Sequence, residues 1–215
     1  MATLGELKDR IVRECNREDL TDAPSGDPTS VNTDVLQRVI QRAIEEYADK
    51  RFFFNESRGV TAAVAGNGFV SLPPGLRMLD MLSVTIGGNR YPLVMRQYDE
   101  IERWSGYGPA NGQPTSFAIS NDTAQLYPVP NQSYPLTWLG IFDLVLDYED
   151  DASSNAWTTY GEDLIAAQAV FLLQRDYFRD GEAAAIAQSA ADTALTNLRG
   201  KSNGLISPGR IRASW

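Results

Sequence analysis

The chain has 215 residues, which is long enough for one large domain or two small ones with a substantial core. It contains no histidine and only one cysteine, so the sequence excludes Ser-His-Asp and Cys-His catalysis, histidine metal ligands and an internal disulfide. With 28 acidic and 19 basic residues, its net charge of −9 at pH 7 argues against tight binding to the phosphates of nucleic acids.

The first 56 residues predict two amphipathic helices joined by a polar linker. Thr3 and Glu6 have the spacing of a capping box, and an apolar stripe of helical period that includes the single cysteine follows them. Residues 21–32 are rich in Pro, Gly, Ser and Asp and predict the linker. A second apolar stripe predicts a helix over residues 33–53.

Between residues 57 and 150 the apolar period changes from 3.6 to 2, which predicts a domain of antiparallel strands. Glycine-rich turn signals occur at 66–68 and 87–89, and a hairpin is expected around 121–122. A short helix is expected over 97–104. The predicted strands cover residues 60–64, 69–72, 78–86, 91–95, 115–120, 124–128 and 136–148.

Residues 151–199 return to the helical period and predict two further helices, one beginning at Thr158 or Thr159 and the other covering 182–198. We therefore expect an α+β fold, with a four-helix bundle built from the N- and C-terminal helix pairs (1–56 and 151–199). An antiparallel β domain (57–150) would be inserted into the bundle, and an extended C-terminal arm would follow it.

The arm comprises residues 200–215, GKSNGLISPGRIRASW, whose Gly, Pro and Ser content predicts an irregular segment. From Arg199 onward the chain carries four basic and no acidic residues, while the remainder carries 15 basic and 28 acidic ones. The basic side chains, together with Ile211 and Trp215, predict that the arm docks onto a partner chain. The alternative is that the arm folds back on its own domain.

Two carboxylate clusters are the only candidates for catalysis or calcium binding. They comprise Asp99, Glu100 and Glu102, and the four acids of residues 147–151. Two carboxylates can hydrolyse a glycosidic bond if one is buried and protonated, but these patterns are typical of a solvated helix face and of a loop. The spacing of an EF-hand is absent as well. We therefore expect no catalytic residue, no cofactor and no metal site.

The aromatic residues form the remaining pattern. Residues 52–54 are three consecutive phenylalanines, and we expect two to be buried under the β domain and one to cap the helix end. The alternative is that one of them contacts a neighbouring subunit. Trp104, Trp138 and Trp157 are predicted to lie in the core or at a domain junction, although stacked tryptophans can also bind sugars or bases.

Several short stretches, spread along nearly the whole chain, resemble those of a known protein family in their order and spacing. They are residues 1–7 (MATLGEL), 43–47 (AIEEY), 51–56 (RFFFNE), 112–119 (GQPTSFAI), 126–130 (LYPVP), 154–159 (SNAWTT) and 162–165 (EDLI). With these stretches the chain resembles the head-to-tail adaptor proteins of tailed bacteriophages, also called head-completion or connector proteins. The resemblance is to the version that has a β domain inserted in a helical bundle.

The resemblance implies a non-enzymatic structural protein of the virion neck, made in the host cytoplasm. Such proteins form a ring, usually of twelve copies, under the portal ring at the capsid vertex. The ring extends the channel through which DNA passes without specific binding, and it offers a platform to a downstream tail or nozzle protein. The arm would reach the portal protein, and the residues assigned to this contact are Lys201, Leu205, Ile206, Arg210, Ile211, Arg212 and Trp215.

Membrane association is not expected. The sequence has no run of about 18 apolar residues that could span a bilayer. Its first ten residues are too polar for a signal peptide.

Two rival functions remain open from the residues alone. A cell-wall glycosidase of a phage tail would use a Glu and an Asp and would lose turnover when one of them is replaced. A carbohydrate-binding module would use Trp104 or Trp138 in the β domain and would bind sugar as a monomer.

Overall fold

The computed structural model describes residues 2–15, 30–106, 108 and 110–206. The described part contains six α-helices and ten β-strands, most of them in antiparallel sheets, so the fold is α+β. The chain divides into two compact units, a helical unit formed by Met1–Asn55 with Leu144–Trp215 and a β unit formed by Glu56–Asp143.

The helical unit contains five of the α-helices and one π-helical stretch. They are α1 (Leu4–Cys15), α2 (Ser30–Ala48), α4 (Ala156–Tyr160), α5 (Glu162–Leu172), the π-helical stretch (Leu173–Phe178) and α6 (Gly181–Ile206). None of the helices in the described ranges is long and apolar enough to cross a membrane.

The first helix begins as the sequence predicts. The amide of Glu6 donates to Thr3 Oγ1 over 3.3 Å, and Glu6 Oε2 accepts from the amide of Thr3 over 2.9 Å, so the capping box is confirmed. The predicted linker needs a correction, because α2 already begins at Ser30. This helix also ends earlier than predicted, at Ala48.

The helix after the β unit begins at a different residue from the one predicted. Asn155, not Thr158 or Thr159, is the N-cap of α4, and its Oδ1 accepts from the amides of Trp157 and Thr158. Thr158 completes the capping box, since its Oγ1 accepts from the amide of Asn155 over 3.1 Å. Asn is as good an N-cap as Thr. The sequence therefore leaves the first residue of the helix ambiguous where several such polar residues follow one another.

Helix α5 lies at the centre of the helical unit. Eight of its eleven residues are buried, and α1, α2 and α6 contribute to the same core. Tyr47 Oη donates to Gln168 Oε1 over 2.9 Å within this core, and burial, aided by the negative charges of Glu46 and Asp192, raises the pKa of Tyr47 to about 12. A helix that is apolar on all sides is expected to be enclosed by its neighbours.

The three consecutive phenylalanines pack into the helical unit. Phe52 is fully buried and meets Trp157 edge to face at 5.5 Å between ring centroids. Phe54 stacks on Phe52 and also meets Trp157, while Phe53 contacts Tyr160. All three rings therefore have aromatic partners from α4 within the helical unit, and their expected position under the β domain stays a prediction.

The β unit contains ten strands and one helix. They are β1 (Glu56–Ala63), β2 (Phe69–Ser71), β3 (Leu76–Ile86), β4 (Asn89–Pro92), β5 (Val94–Met95), α3 (Tyr98–Gly106), β6 (Asn111–Gly112), β7 (Ser116–Ser120), β8 (Thr123–Tyr127), β9 (Val129–Pro130) and β10 (Tyr134–Phe142). One four-stranded sheet has the order β1-β10-β3-β4 and the other β2-β8-β7-β5. A core that includes Leu82, Leu126 and Leu136 fills this unit.

Two strand pairs in the β unit are parallel, which the predicted antiparallel domain did not include. Strand β5 runs parallel to β7, and β6 runs parallel to β9. Parallel strands need a long crossover, and α3 supplies it between β5 and β7. The hairpin predicted around Asn121 is confirmed as β7 and β8, with Asn121 at a φ of 51° in the turn.

The most important correction concerns residues 200–206, which the sequence assigned to an extended arm. They are the last two turns of α6. Leu198 and Ser202 are buried on one side of this helix, and Ser202 Oγ accepts from the amide of Phe53 over 3.4 Å. Each glycine in a helix costs about 1 kcal/mol relative to alanine, and burial of these side chains offsets that cost for Gly200 and Gly204.

Candidate docking groove

A groove of about 960 Å³ runs along α6 in the helical unit. Its walls come from α4, α5 and α6 and from α1, which is far from them in sequence. The lining residues are Arg10, Glu14, Tyr160, Asp163, Leu164, Ala167, Ile186, Ser189, Ala190, Thr193, Ala194, Asn197, Leu198 and Lys201. Two smaller depressions, of about 250 and 160 Å³, share lining residues with the groove at its two ends.

Small side chains on α6 produce the groove. Ala184, Ala187 and Ala191 are buried in the unit, so α6 is held through short side chains. On the neighbouring face, Ala190 and Thr193 are also short and fill little of the space between α6 and the facing helices. The result is an open channel with an apolar floor.

Large exposed side chains stand along this channel. Ile186 is 67% exposed and Tyr160 is 54% exposed, although both are large enough to contribute strongly to a core. Exposed apolar side chains beside a groove are typical of a surface that receives a partner segment.

Arg10 organises the charge on one wall. Its Nε donates to Glu14 over 2.7 Å, and its Nη1 donates to Glu162 over 3.0 Å and to Asp163 over 2.8 Å. Burial alone would lower the pKa of Arg10, but the three hydrogen bonds outweigh it and the pKa is raised. The guanidinium thereby links α1 to the N-terminal turn of α5, where acidic side chains also suit the helix dipole.

Lys201 marks the C-terminal end of the groove. It lines both the groove and the adjoining depression, where its neighbours include Phe53, Tyr160 and Asp163. The lining therefore carries acidic groups from α1 and α5, with basic groups at Arg10 and Lys201. The two acidic and two basic groups balance in formal charge, so the apolar floor is the feature that a partner segment would match.

The structure can place only part of the predicted binding set. Lys201 lies on α6 in the groove, Leu205 is 60% exposed in the last turn, and Ile206 is the final residue of that helix. The remaining predicted residues lie outside the described part of the chain: Arg210, Ile211, Arg212 and Trp215.

The first carboxylate cluster lies on and beside α3 and is bonded to neighbouring side chains. Asp99 accepts from Arg103 over 3.1 Å, Glu100 lies 3.7 Å from Arg96, and Glu102 accepts from Gln125 over 2.8 Å. No group of three or more potential metal ligands occurs among the residues that the structure describes. These acids therefore lie on a solvated helix face with local partners.

The second cluster holds the start of α1 in place. Lys8 is buried and its Nζ donates to Asp151 over 2.6 Å. The carbonyls of Ser153 and Asp151 accept from the amides of Leu4 and Gly5. Neither this role nor the long-range part of the Arg10 network can be predicted from local patterns, because the ion pairs of Lys8 with Asp151 and of Arg10 with Glu162 and Asp163 join residues far apart in sequence.

The tryptophans have different surroundings. Trp157 is 2% exposed in the core of the helical unit, as the sequence predicted. In the β unit, Trp104 packs on Tyr127 and Trp138 on Phe142. The β unit also exposes several large apolar side chains: Val60, Val64, Phe69, Met78, Tyr91, Val94, Met95 and Tyr98.

Comparison with known proteins identifies the family. The family model described as SU10 adaptor protein matches residues 2–212, which is nearly the whole chain. No curated protein matches the chain. The chain therefore belongs to the SU10 adaptor protein family, and its resemblance to phage head-to-tail adaptors is confirmed. It is a structural adaptor protein of a bacteriophage and a component of the virion.

Proposed function

We propose that this member of the SU10 adaptor protein family forms a ring at the portal vertex and docks onto the portal protein through its C-terminal segment. The ring, of about twelve copies as in proteins that the chain resembles, would continue the DNA channel and present a platform to a tail or nozzle protein. Lys201 and Leu205 on α6, with Ile206 and the residues beyond it, would make the portal contact.

The form of α6 carries this proposal. The helix has 26 residues and is therefore about 39 Å long. Lys201 and Leu205 are exposed in its last two turns, and the acid-free sequence SPGRIRASW follows it. A long helix anchored in a core at Leu198 and Ser202 is a firm support from which a short binding segment can extend.

The helical unit would serve as the four-helix bundle that the sequence predicts. Helices α1, α2, α5 and α6 all contribute side chains to one buried core, and the two parts of this unit come from opposite ends of the chain. The β unit is then an insertion between α2 and α4. This arrangement would keep the C-terminal segment and the N-terminal helices in one body.

The binding free energy of a single C-terminal segment would be modest, and a ring would multiply the number of such contacts. Burial of Trp215 would remove about 150–250 Å² from water, or about 4–6 kcal/mol at about 25 cal/mol per Å² before the cost of ordering the segment. Because every subunit contributes the same contact, the assembled ring would bind far more tightly than one chain.

The acidic character of the chain supports the channel role. Upstream of Arg199 there are 28 acidic and 15 basic residues. Acidic surfaces repel the DNA backbone, so a channel lined by them would let DNA slide without holding it.

Co-sedimentation tests the portal contact. Portal-bearing, DNA-filled capsids that lack this protein would be mixed with the full chain, with Trp215→Ala and with Arg210→Ala/Arg212→Ala. We expect the full chain to sediment with the capsids and both variants to bind at least about tenfold more weakly, since every 1.4 kcal/mol lost is tenfold in affinity.

A matched control separates the segment from general charge effects. Arg58→Ala/Arg90→Ala removes two exposed arginines from the β unit and should bind capsids like the unmodified chain. Equal capsid binding by all of these proteins would overturn the assignment of the C-terminal segment as the anchor. Failure of the unmodified chain to bind would overturn the portal contact itself.

A further inference from the structure

The β unit leaves large apolar side chains exposed on two opposite sides. Among the strands that the structure describes, β1 and β4 are the outermost of the first sheet, and β2 and β5 are the outermost of the second. Strand β1 contacts β2, and only Leu93 separates β4 from β5 in the chain. The unit therefore has a β1–β2 side and a β4–β5 side. The exposed side chains are Val60, Val64 and Phe69 on the first side and Tyr91, Val94, Met95 and Tyr98 on the second.

The β4–β5 side is the place where the core of the unit opens to solvent. Tyr91 lies opposite Val84 on the neighbouring strand, and Met95 lies opposite Phe117. Val84 and Phe117 belong to the buried core, and residues opposite each other in paired strands lie on the same face of a sheet. Tyr91 and Met95 thus lie on the core faces of their strands, yet they are 45% and 58% exposed. Such a surface is typical of one that a partner covers.

The β1–β2 side presents a long strand edge. Strand β1 has eight residues, contains no proline and carries no charge between Gly59 and Ala63. In the described part of the chain it pairs with β10 on one of its two edges. Edge strands of stable monomers are usually short, charged or interrupted by proline, as β4 is by Pro92. A long edge without these features is suited to pairing with a strand of another chain.

We propose that the β4–β5 side of one copy packs against the β1–β2 side of the next copy, so that their first sheets join through β4 and β1. This inference rests on the ring of the proposed function and assigns the surface that closes it. The two sides carry different residues, so each copy offers one side to each of its two neighbours. Repetition of such a contact generates a ring when the rotation closes, whereas a contact between identical sides would stop at a dimer.

The strand directions agree with this contact. Successive strands of the first sheet are antiparallel, so β4 runs opposite to β1. A copy rotated about an axis along the strands keeps its strand directions, and its β4 would therefore run antiparallel to β1 of the first copy. Thr61 and Tyr91 lie at the two ends of the row that contains Val84. With the two sheets level, Tyr91 of the neighbouring copy would lie opposite Thr61.

This register also separates the exposed arginines of the two strands. Arg90 of the neighbouring copy would lie opposite Ala62, and Arg58 is four residues, or about 13 Å, further along β1. The register therefore places no like charges opposite each other at these positions. A β-branched residue opposite an aromatic one, as in the pair of Thr61 and Tyr91, stabilises antiparallel strands.

Disulfide trapping in the full chain tests the contact. Thr61→Cys combined with Tyr91→Cys should give intermolecular disulfides under mild oxidation, seen as a ladder that extends beyond the dimer on a non-reducing gel. Within one copy the two positions are separated by three strand spacings, or about 14 Å, which is too far for an intramolecular disulfide. The native Cys15 is buried and should not take part. The oxidation would be carried out on the chain in concentrated solution and on the chain bound to portal-bearing capsids.

Three controls define the geometry of the contact, after thermal unfolding has shown that each variant is folded. Ser57→Cys with Tyr91→Cys is the matched control, because Ser57 is exposed on the same strand and face but lies about 13 Å from Thr61. We expect this pair to react at least about tenfold more slowly, since the contact raises the local concentration only for the matching positions. Thr61→Cys alone and Tyr91→Cys alone should give no disulfide. An equimolar mixture of these two single variants should give dimers that grow no further.

A ladder in either setting would support the contact, and its absence in both would overturn it. Disulfide dimers from one single variant would also overturn it, because they would show that identical sides face each other. A Ser57 pair that reacts as fast as the Thr61 pair would overturn the level register. The assay in solution contains no portal, so a ladder there without capsid binding would count against portal docking alone. Capsid binding without any ladder would count against this inference alone.

Discussion

The two units of this protein are built in different ways. The β unit is one continuous stretch, Glu56–Asp143, whereas the helical unit joins segments from both ends of the chain. The helical unit encloses the rings of Phe52 and Trp157, and partly buried ion pairs join its α1 to α5 and to the loop at Asp151. The β unit leaves many large apolar side chains exposed. The groove therefore lies in the helical unit, whose N-terminal and C-terminal segments come together only when the chain folds.

The largest expected difference between the units comes from their tryptophans. Trp157→Ala removes a ring that contacts Phe52 and Phe54 in a closed core, and we expect it to lower the free energy of unfolding by about 3–5 kcal/mol. Trp138→Ala removes a half-buried ring from the β unit and should cost about 1–3 kcal/mol. Guanidinium unfolding of both variants, with hydrogen exchange to locate the change, makes the comparison. Equal losses would show that the helical core is no tighter than the β unit.

Replacing a glycine by alanine should change the free energy of unfolding in opposite directions in the two units. A Cβ at Gly140 in β10 would collide with the backbone carbonyl of Met78, so Gly140→Ala should destabilise the protein by about 1–3 kcal/mol. Gly200 in α6 has open space around it, and Gly200→Ala should stabilise by about 0.5–1 kcal/mol through the helical preference of alanine. Thermal unfolding of both variants measures these two changes in stability. A loss of stability in Gly200→Ala would argue against helix at this position.

The smallest expected effect concerns the Arg10 network and a single exposed ion pair. Arg10→Gln removes three ion pairs, two of which join α1 to α5, and should cost about 1 kcal/mol at low salt. Arg103→Gln removes one exposed pair with Asp99 and should cost only a few tenths of a kcal/mol. Urea unfolding at about 0.05 M and 1 M salt tests this, since screening should reduce the Arg10 effect. Indistinguishable losses would mean that the network adds nothing beyond its single pairs.

Local patterns were sufficient for much of the fold. The capping box at Thr3 and Glu6, the hairpin of β7 and β8, and the helical stripe that buries Leu36, Val39 and Ile40 follow from neighbours in sequence. Such signals act within a few residues, so a single sequence records them directly. The order and spacing of short motifs also sufficed to place the chain in its family.

The sequence by itself determined the α+β class, the family and the chemical character of the C-terminal segment. Only the tertiary structure decided that α6 continues through Gly200 and Gly204, because a buried Ser202 and Leu198 offset the low helix preference of glycine. It also decided which helices border the groove and which acids surround Arg10. An apolar stripe shows that a face is buried but not which element covers it, and partners 150 residues apart leave no local signal.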